Sequence, residues 1–385
     1  MAFKLAWALA KQASGGPKVT PRLREFLLDA LALAALGTVA DVVPLFDENR
    51  IFVRHGLVRL RAQPTIGMQA LLRCAKLEGK SAFDAGDIGF VLAPRINAAG
   101  RLGTARLAVE LLMTTNSQRA AVLADYLERQ NQERQQLERR ILQEARALAE
   151  QFERQSALVL ASAAWHPGLI GIVASRLVDQ FGRPVLLIAL RDGQPHGHGS
   201  GRSVPGLALH EALEECTADL VSHGLQDPLQ GPRVSHGGHA IAAGFRIVPD
   251  NIPAFRARFN AVAARRLGAD PPAQRIIIDA EVPLAALTTQ VMLALEQLEP
   301  YGSGNPPPLL LADRLQIVGE PKRVGAGERH LSLRVRQEGR TLKAIAFGMA
   351  ERFGDMMSQG GQVSLVFTPR WNEWQGMRSV EIEVK

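Results

Sequence analysis

The runs Ala157-Leu158-Val159-Leu160-Ala161 and Val185-Leu186-Leu187-Ile188-Ala189 decide the fold class of this chain. Both are short, apolar and bounded by turn residues, which predicts strands. A helical pattern over Gly171–Phe181 lies between them, so residues 156–268 read as α/β. The first strand feeds Trp165-His166-Pro167-Gly168. The second feeds Gly197-His198-Gly199-Ser200-Gly201-Arg202-Ser203, expected as a loop ahead of a helix over Leu209–Glu215. Glycines, hydroxyls and one arginine before a helix make a phosphate cradle, because free backbone N–H groups point outward there. An ordinary glycine-rich loop is the alternative. His196 and His198 have no third ligand at useful spacing, which argues against a metal there.

Downstream comes Ser235-His236-Gly237-Gly238-His239-Ala240-Ile241-Ala242-Ala243-Gly244-Phe245. Paired glycines and small residues predict tight backbone packing around His239. Its imidazole is either aimed into a cleft or buried and satisfied. Residues 271–385 alternate like a small β-barrel, with strands expected at 275–281, 314–319, 330–337, 340–347, 362–368 and 378–384. That number of short strands fits an OB-fold. Arg323, Arg329, Arg334, Arg336, Arg340, Lys343, Arg370, Trp371 and Trp374 mix cations with stacking platforms, as single-strand binding requires. A solvated barrel whose tryptophans pack its own turns is the alternative.

Upstream, residues 1–115 read as mostly helical, with helices at 2–12, 21–36, 51–61, 67–76 and 105–112. In Leu36-Gly37-Thr38-Val39-Ala40-Asp41-Val42-Val43-Pro44 a helix is expected to end at the glycine and deliver one carboxylate, Asp41, into a turn. A lone carboxylate in an apolar setting needs a partner or a cation, although a cap or turn role is the plainer reading. Phe90–Gly103, with Arg95, Asn97 and Arg101, is expected as a loop whose arginines either grip phosphate or are solvated. Residues 117–154 predict one helix spanning ~55 Å, long enough to bridge two domains. A coiled-coil repeat is broken through Gln130–Gln136.

The 385 residues carry 46% hydrophobic content and a net charge of +7, which favours two or three cored domains and a polyanionic partner. No apolar run is long enough for a membrane span, and the N-terminal Met1–Lys11 reads as an amphipathic helix entered in mid-pattern. Cys74 and Cys216 form no CxxC pattern, so reduced thiols in the cytoplasm are expected. Gly79-Lys80-Ser81 lacks the upstream glycine of a P-loop, and neither GxSxG nor HExxH occurs.

Six motifs in order resemble the RecJ family of the DHH phosphoesterase superfamily: Gly37–Asp41, Asn97–Arg101, Trp165–Gly168, Ser200–Ser203, Gly237–His239 with Ala242–Gly244, and Tyr301–Pro306. The resemblance covers nearly the whole chain. It implies the C-terminal part of a DHH domain at 1–116, a connecting helix at 117–155, a DHHA1-type α/β domain at 156–270 and an OB-like barrel at 271–385. It implies 5′→3′ degradation of single-stranded DNA in repair and recombination, using Mn²⁺ or Mg²⁺, with single-strand-binding protein or helicase partners. By the same resemblance Asp41 is a metal ligand and His239 lines the cleft as a catalytic residue. Arg101, Ser200, Gly201, Arg202, Ser203, Gly237 and Gly238 contact DNA phosphate. Arg334, Arg336, Lys343, Trp371 and Trp374 are the expected barrel contacts.

The sequence departs from the family pattern. The earlier aspartate motifs and the Asp-His-His that names the superfamily are not present, and no two histidines are adjacent. Those motifs are expected upstream of Met1, so the chain reads as N-terminally truncated and impaired in catalysis. Gly224–Arg233 reads as a small insertion. Three functions stay open: an exonuclease, a non-catalytic single-strand-binding module and a small-substrate phosphodiesterase.

Overall fold

The computed structural model describes residues 1–227, 231–234, 236–268, 275–325, 327–352, 354, 361–374 and 376–385. Ser235 and residues 228–230 of the expected insertion lie outside them, as does the side chain of Trp374. The chain forms two compact units, one from residues 1–93 with 276–385 and one from 94–275. No helix among the described residues is long and apolar enough to cross a membrane.

Four helices open the first unit: α1 (Ala2–Ala13), α2 (Pro21–Ala40), α3 (Asp47–Ala62) and α4 (Ile66–Cys74). Helices α2 and α3 pack closely because Gly56 admits the backbone of Leu31 and the methyl of Ala35. Gly37 does not end α2, which runs on to Ala40 with Asp41 as its C-cap. Thr38 holds this last turn by donating its hydroxyl to the Ala34 carbonyl at 2.7 Å.

Phe90–Gly103, expected as a loop, is mostly helical. A π-helical turn over Asp87–Leu92 is followed by α5 (Ala93–Leu102). Pro94 cannot donate to a carbonyl four residues back, and a widened turn accommodates that loss. Next come α6 (Ala105–Met113) and α7 (Ser117–Glu150), the latter 34 residues long and so ~51 Å.

The α/β sheet begins with β1 (Leu158–Ser162), then α8 (Pro167–Phe181), β2 (Val185–Ala189) and β3 (Gly197–Arg202). Helix α9 (Leu209–Glu214), β4 (Ser222–Asp227), β5 (Gly231–Val234), β6 (His236–Gly238), β7 (Ala242–Ile247) and α10 (Ile252–Leu267) complete this unit. The order is β1-β2-β3-β7-β6, with β1 and β2 parallel and the other neighbours antiparallel; β4 and β5 pair separately. Phe245, Phe255 and Phe259 anchor the core against α9 and α10. On the opposite face, α7 and α8 cover Leu158, Leu160, Val185 and Leu187.

The glycine-rich stretch 197–203 is therefore a strand. Its glycines fall on every second position and face the core. Each admits a neighbour where a side chain would stand: Leu190 and Ile188 at Gly197, the Phe245 ring at Gly199, Leu209 and Leu186 at Gly201. Glycines at a spacing of two read as a loop by composition and as a strand by period.

The C-terminal part of the first unit holds β8 (Ala280–Glu281), α11 (Thr289–Glu296), β9 (Leu310–Ile317), β10 (Lys322–Val324), β11 (His330–Gln337), β12 (Arg340–Ala346), β13 (Gln362–Trp374) and β14 (Met377–Val384). Residues 275–278, expected in a strand, are not in one. The sheet closes on itself: β9 pairs with β13 and, through Val335↔Ile317 and Arg336↔Gln316, with β11. The ring β9-β11-β12-β14-β13 has one parallel pairing, β12 with β14. This is the five-stranded Greek-key ring of an OB-fold.

Candidate nucleic-acid interface

Helix α8 packs over β2 and β3 of the α/β sheet, with its Gly171 against Ser200 and Arg202. Beyond the helix the same face of β7 and β6 is open, and half-buried His198, Ser200 and Arg202 of β3 border it beside Ala242, Gly244 and Gly237. Gly237 faces open space, and a Cβ on Gly244 would meet nothing closer than 3.7 Å, so a flat ligand could approach the backbone here.

The wall of this floor is the start of α8. Trp165 is buried and donates from Nε1 to Glu144 at 3.0 Å. His166 caps the helix, its Nδ1 accepting from the Gly168 N–H at 3.1 Å. Pro167 takes the first helical position, where its missing N–H costs nothing. Gly168 has no side chain because the Arg101 carbonyl lies where one would point. Burial, followed by nearby Arg191, pushes the His166 imidazole below its ordinary pKa, in keeping with an unprotonated Nδ1.

Arg101 donates from Nη1 to the Gly168 carbonyl at 3.1 Å. Arg202 donates to the Gly201 carbonyl at 2.8 Å and stands over Gly171 with Ser200. Burial, then the charge of Arg101, pushes the Arg202 guanidinium below its ordinary value. No ion pair to a carboxylate is recorded for Arg202 among the described residues. A partly buried cation crowded by another cation, over a floor of small residues, favours an anion as the missing partner.

Other expected residues are placed differently. Ser203 is buried, and its hydroxyl donates to the Leu207 carbonyl at 2.8 Å, so it closes a turn. At the helix that follows, the first N–H is taken, Leu209 donating to the Ala240 carbonyl at 2.8 Å. Gly238 is fixed by a positive φ of 150° and by close approach of the Ala242–Ala243 backbone. His239 follows it, exposed, with its N–H donating to the Ala242 carbonyl at 2.8 Å. Arg95, expected with Arg101 as a phosphate grip, pairs with Glu128 at 2.6 Å.

In the first unit Asp41 is exposed, so the burial cost that would have demanded a cation does not arise. The Tyr301–Pro306 motif shapes the chain just after it. Ser303 accepts from the Leu45 N–H at 2.7 Å, Gly302 leaves room for the Leu45 side chain, and the Phe46 ring lies against Gly304. On the barrel, Arg334, Lys343, Glu381 and Arg370 form one cross-strand row over β11, β12, β14 and β13. Buried Glu381 takes Lys343 at 3.0 Å and Arg370 at 2.7 Å, so Lys343 is not a free cation. Arg336 donates to Gln316 at 2.9 Å. Arg378 stacks 4.9 Å from the Trp371 ring centre, so one face of that expected platform is taken. Arg334 stays exposed.

Comparison with known proteins matches the DHHA1 domain to residues 154–265 and the RecJ OB domain to residues 278–385. The single-stranded-DNA-specific exonuclease RecJ of Bacillus subtilis is 34% identical over 100% of this chain and 45% of its own length. That of Thermus thermophilus is 37% identical over 100% of this chain and 50% of its own. A crystal structure of Thermus thermophilus RecJ in complex with Mg²⁺ superimposes with a TM-score of 0.77 at 34% identity, covering 100% of this chain and 54% of that one. The chain belongs to the RecJ family. It spans about half the length of these RecJ relatives.

RecJ structures from Thermus thermophilus are solved with Mg²⁺ and with Mn²⁺. Among the described residues here, no three His, Cys, Asp or Glu side chains come together as ligands. One exposed carboxylate does not make a metal site, so the residues described do not fit that centre by themselves.

Sequence reasoning missed Asn131, Arg134 and Glu138 on α7, with Arg176 on α8. Their signal was in the sequence. Ala124, Leu127, Asn131, Arg134, Glu138, Ile141 and Ala145 follow one another three or four apart, and three polar residues stand in a stripe that is otherwise apolar.

Proposed function

We propose that this chain grips single-stranded DNA as part of a RecJ-type 5′→3′ exonuclease of DNA repair and recombination. The phosphates lie on the exposed face of β7 and β6, along the border formed by β3 and the start of α8. The observation that carries this reading is the pair Ser200 and Arg202, aimed from alternate positions of β3 onto a floor of small residues beside Arg101. The guanidinium fork matches the two non-bridging oxygens of a phosphodiester, and the Ser200 hydroxyl can donate to one of the same pair. His239, exposed on the neighbouring hairpin, is offered to the same DNA strand, and on the barrel exposed Arg334 is a separate candidate contact. Asp41 contributes one carboxylate to a Mn²⁺ or Mg²⁺ centre that needs further ligands.

The scarcity of ligands among the described residues favours a second reading, a single-strand-binding module that does not cut. One experiment separates them: digestion of 5′-phosphorylated single-stranded DNA with Mn²⁺, beside Asp41→Ala. Digestion that disappears in the variant means a working metal site assembles on this chain. Binding without digestion means that this chain grips and does not cut. No binding refutes both readings.

A further inference from the structure

Helix α7 carries a carboxylate where an apolar residue belongs. Glu138 is 1% exposed, as is Asn131 two turns earlier. A buried carboxylate is costly unless cations meet it. Two do: Arg134 Nη1 lies 2.7 Å from Oε2, and Arg176 Nη2, from α8, lies 2.6 Å from Oε1. Arg134 also donates to Asn131 Oδ1 at 3.0 Å.

The two arginines are held differently. The Arg134 side chain is 12% exposed, walled in beside the carboxylate it neutralises, whereas that of Arg176 is 52% exposed. Arg176 thus rests one nitrogen against the carboxylate and leaves the rest of its guanidinium wet. A guanidinium has five N–H donors in a rigid fork, so attracting one nitrogen biases where the others point. Arg101 acts electrostatically on both Arg134 and Arg202, and Arg176 acts on Arg134. Two guanidiniums thus meet one carboxylate, and Arg101 lies within electrostatic reach both of that cluster, through Arg134, and of Arg202.

We infer that Glu138 is a positioning residue that aims Arg176 as a further phosphate contact next to the Arg101–Arg202 grip, so that the strand is held at more than one phosphate. This rests on the DNA-gripping reading above. Glu138→Gln separates positioning from charge, because it keeps the volume and an acceptor oxygen while adding one positive charge to the protein. If Glu138 only neutralises its neighbours, the variant binds a single strand more tightly. If it positions Arg176, the variant binds about tenfold more weakly.

The probe is a fluorescent, 5′-phosphorylated oligodeoxythymidylate, followed by anisotropy across a salt titration without metal. Arg176→Gln, on a half-exposed side chain, gives the same loss and lowers the slope of log K against log salt by ~0.7. It decides the matter should Glu138→Gln lose its cooperative melting transition. The double variant loses no more than either single one. Unchanged or tighter binding by folded Glu138→Gln, or an unchanged salt slope in Arg176→Gln, overturns the inference. Failure of the unsubstituted chain to bind, or full binding by Arg202→Ala, overturns the gripping reading and this inference with it.

Discussion

The ring of Phe245 on β7 occupies the space that a side chain on Gly199 of β3 would need. The two residues are direct partners in the antiparallel ladder, and the ring reaches across the strand axis to cover its neighbour. Phe245 is 4% exposed and stacks on Phe255, with ring centres 5.1 Å apart. The floor of the proposed DNA face is thus the back of an aromatic core.

Gly199→Ala forces that ring out of its place. Overpacking of this kind costs about 1–3 kcal/mol. Urea unfolding should show a lower midpoint with the same m-value. An unchanged midpoint would mean that the ring has room to move.

Arg202→Ala removes a partly buried cation that has no carboxylate partner among the described residues. Its loss strands no buried charge and takes one donor from the Gly201 carbonyl, so folding should be retained. Affinity for single-stranded DNA should fall about tenfold, because a charge-assisted contact is lost. Equal affinity across a salt titration would exclude Arg202 from the interface.

His166 makes the α/β unit sensitive to acid. Its pKa is lowered from 6.5 in the folded state by burial and by Arg191, so below pH 6.5 the unfolded chain binds more protons than the folded one. Stability from this group is present above 6.5 and declines as pH falls below it. His166→Asn keeps a good helix cap without a titrating ring. Its melting temperature should fall less steeply between pH 7 and about pH 5, and an identical profile would assign the decline to another group.

Glu381 does the reverse for the barrel. Burial pushes its carboxyl up, but Arg370 and Lys343 outweigh that and hold it below the ordinary 4.5. Its stabilisation is present above 4.5 and is lost as pH falls through the folded value. Glu381→Gln leaves two cations facing an amide and should cost about 3 kcal/mol at neutral pH. Thermal melts at pH 7 and pH 3 should show the gap between variant and parent narrowing in acid.

Much of the architecture was legible because it rests on period and composition. The five apolar residues of β2 were placed to the residue, as was β11. The stretch Gly197–Ser203, proposed to meet phosphate, was given the wrong backbone, because glycines at alternate positions mark close packing across a strand as well as a loop. The helix through Phe90–Leu102 was hidden by Pro94, Asn97 and Gly100, whose propensities are overridden by burial of Leu92, Ala98 and Ala99. Glu138 was missed for a different reason: its place in the apolar stripe of α7 was readable, but its pairing with Arg134 and Arg176 shows only when the two helices are seen together.

The first unit is made of both ends of the chain, with the second inserted between them. The amide of Leu45 therefore leaves the ribosome long before the Ser303 carbonyl that receives it. At ~5–20 residues per second, α1 to α4 wait on the order of ten seconds to a minute for the barrel to be made. In that interval the α/β unit has its whole sequence and can complete its core. The order of synthesis thus sets a sequence of assembly in which the inserted unit matures first and the unit that encloses it in sequence last.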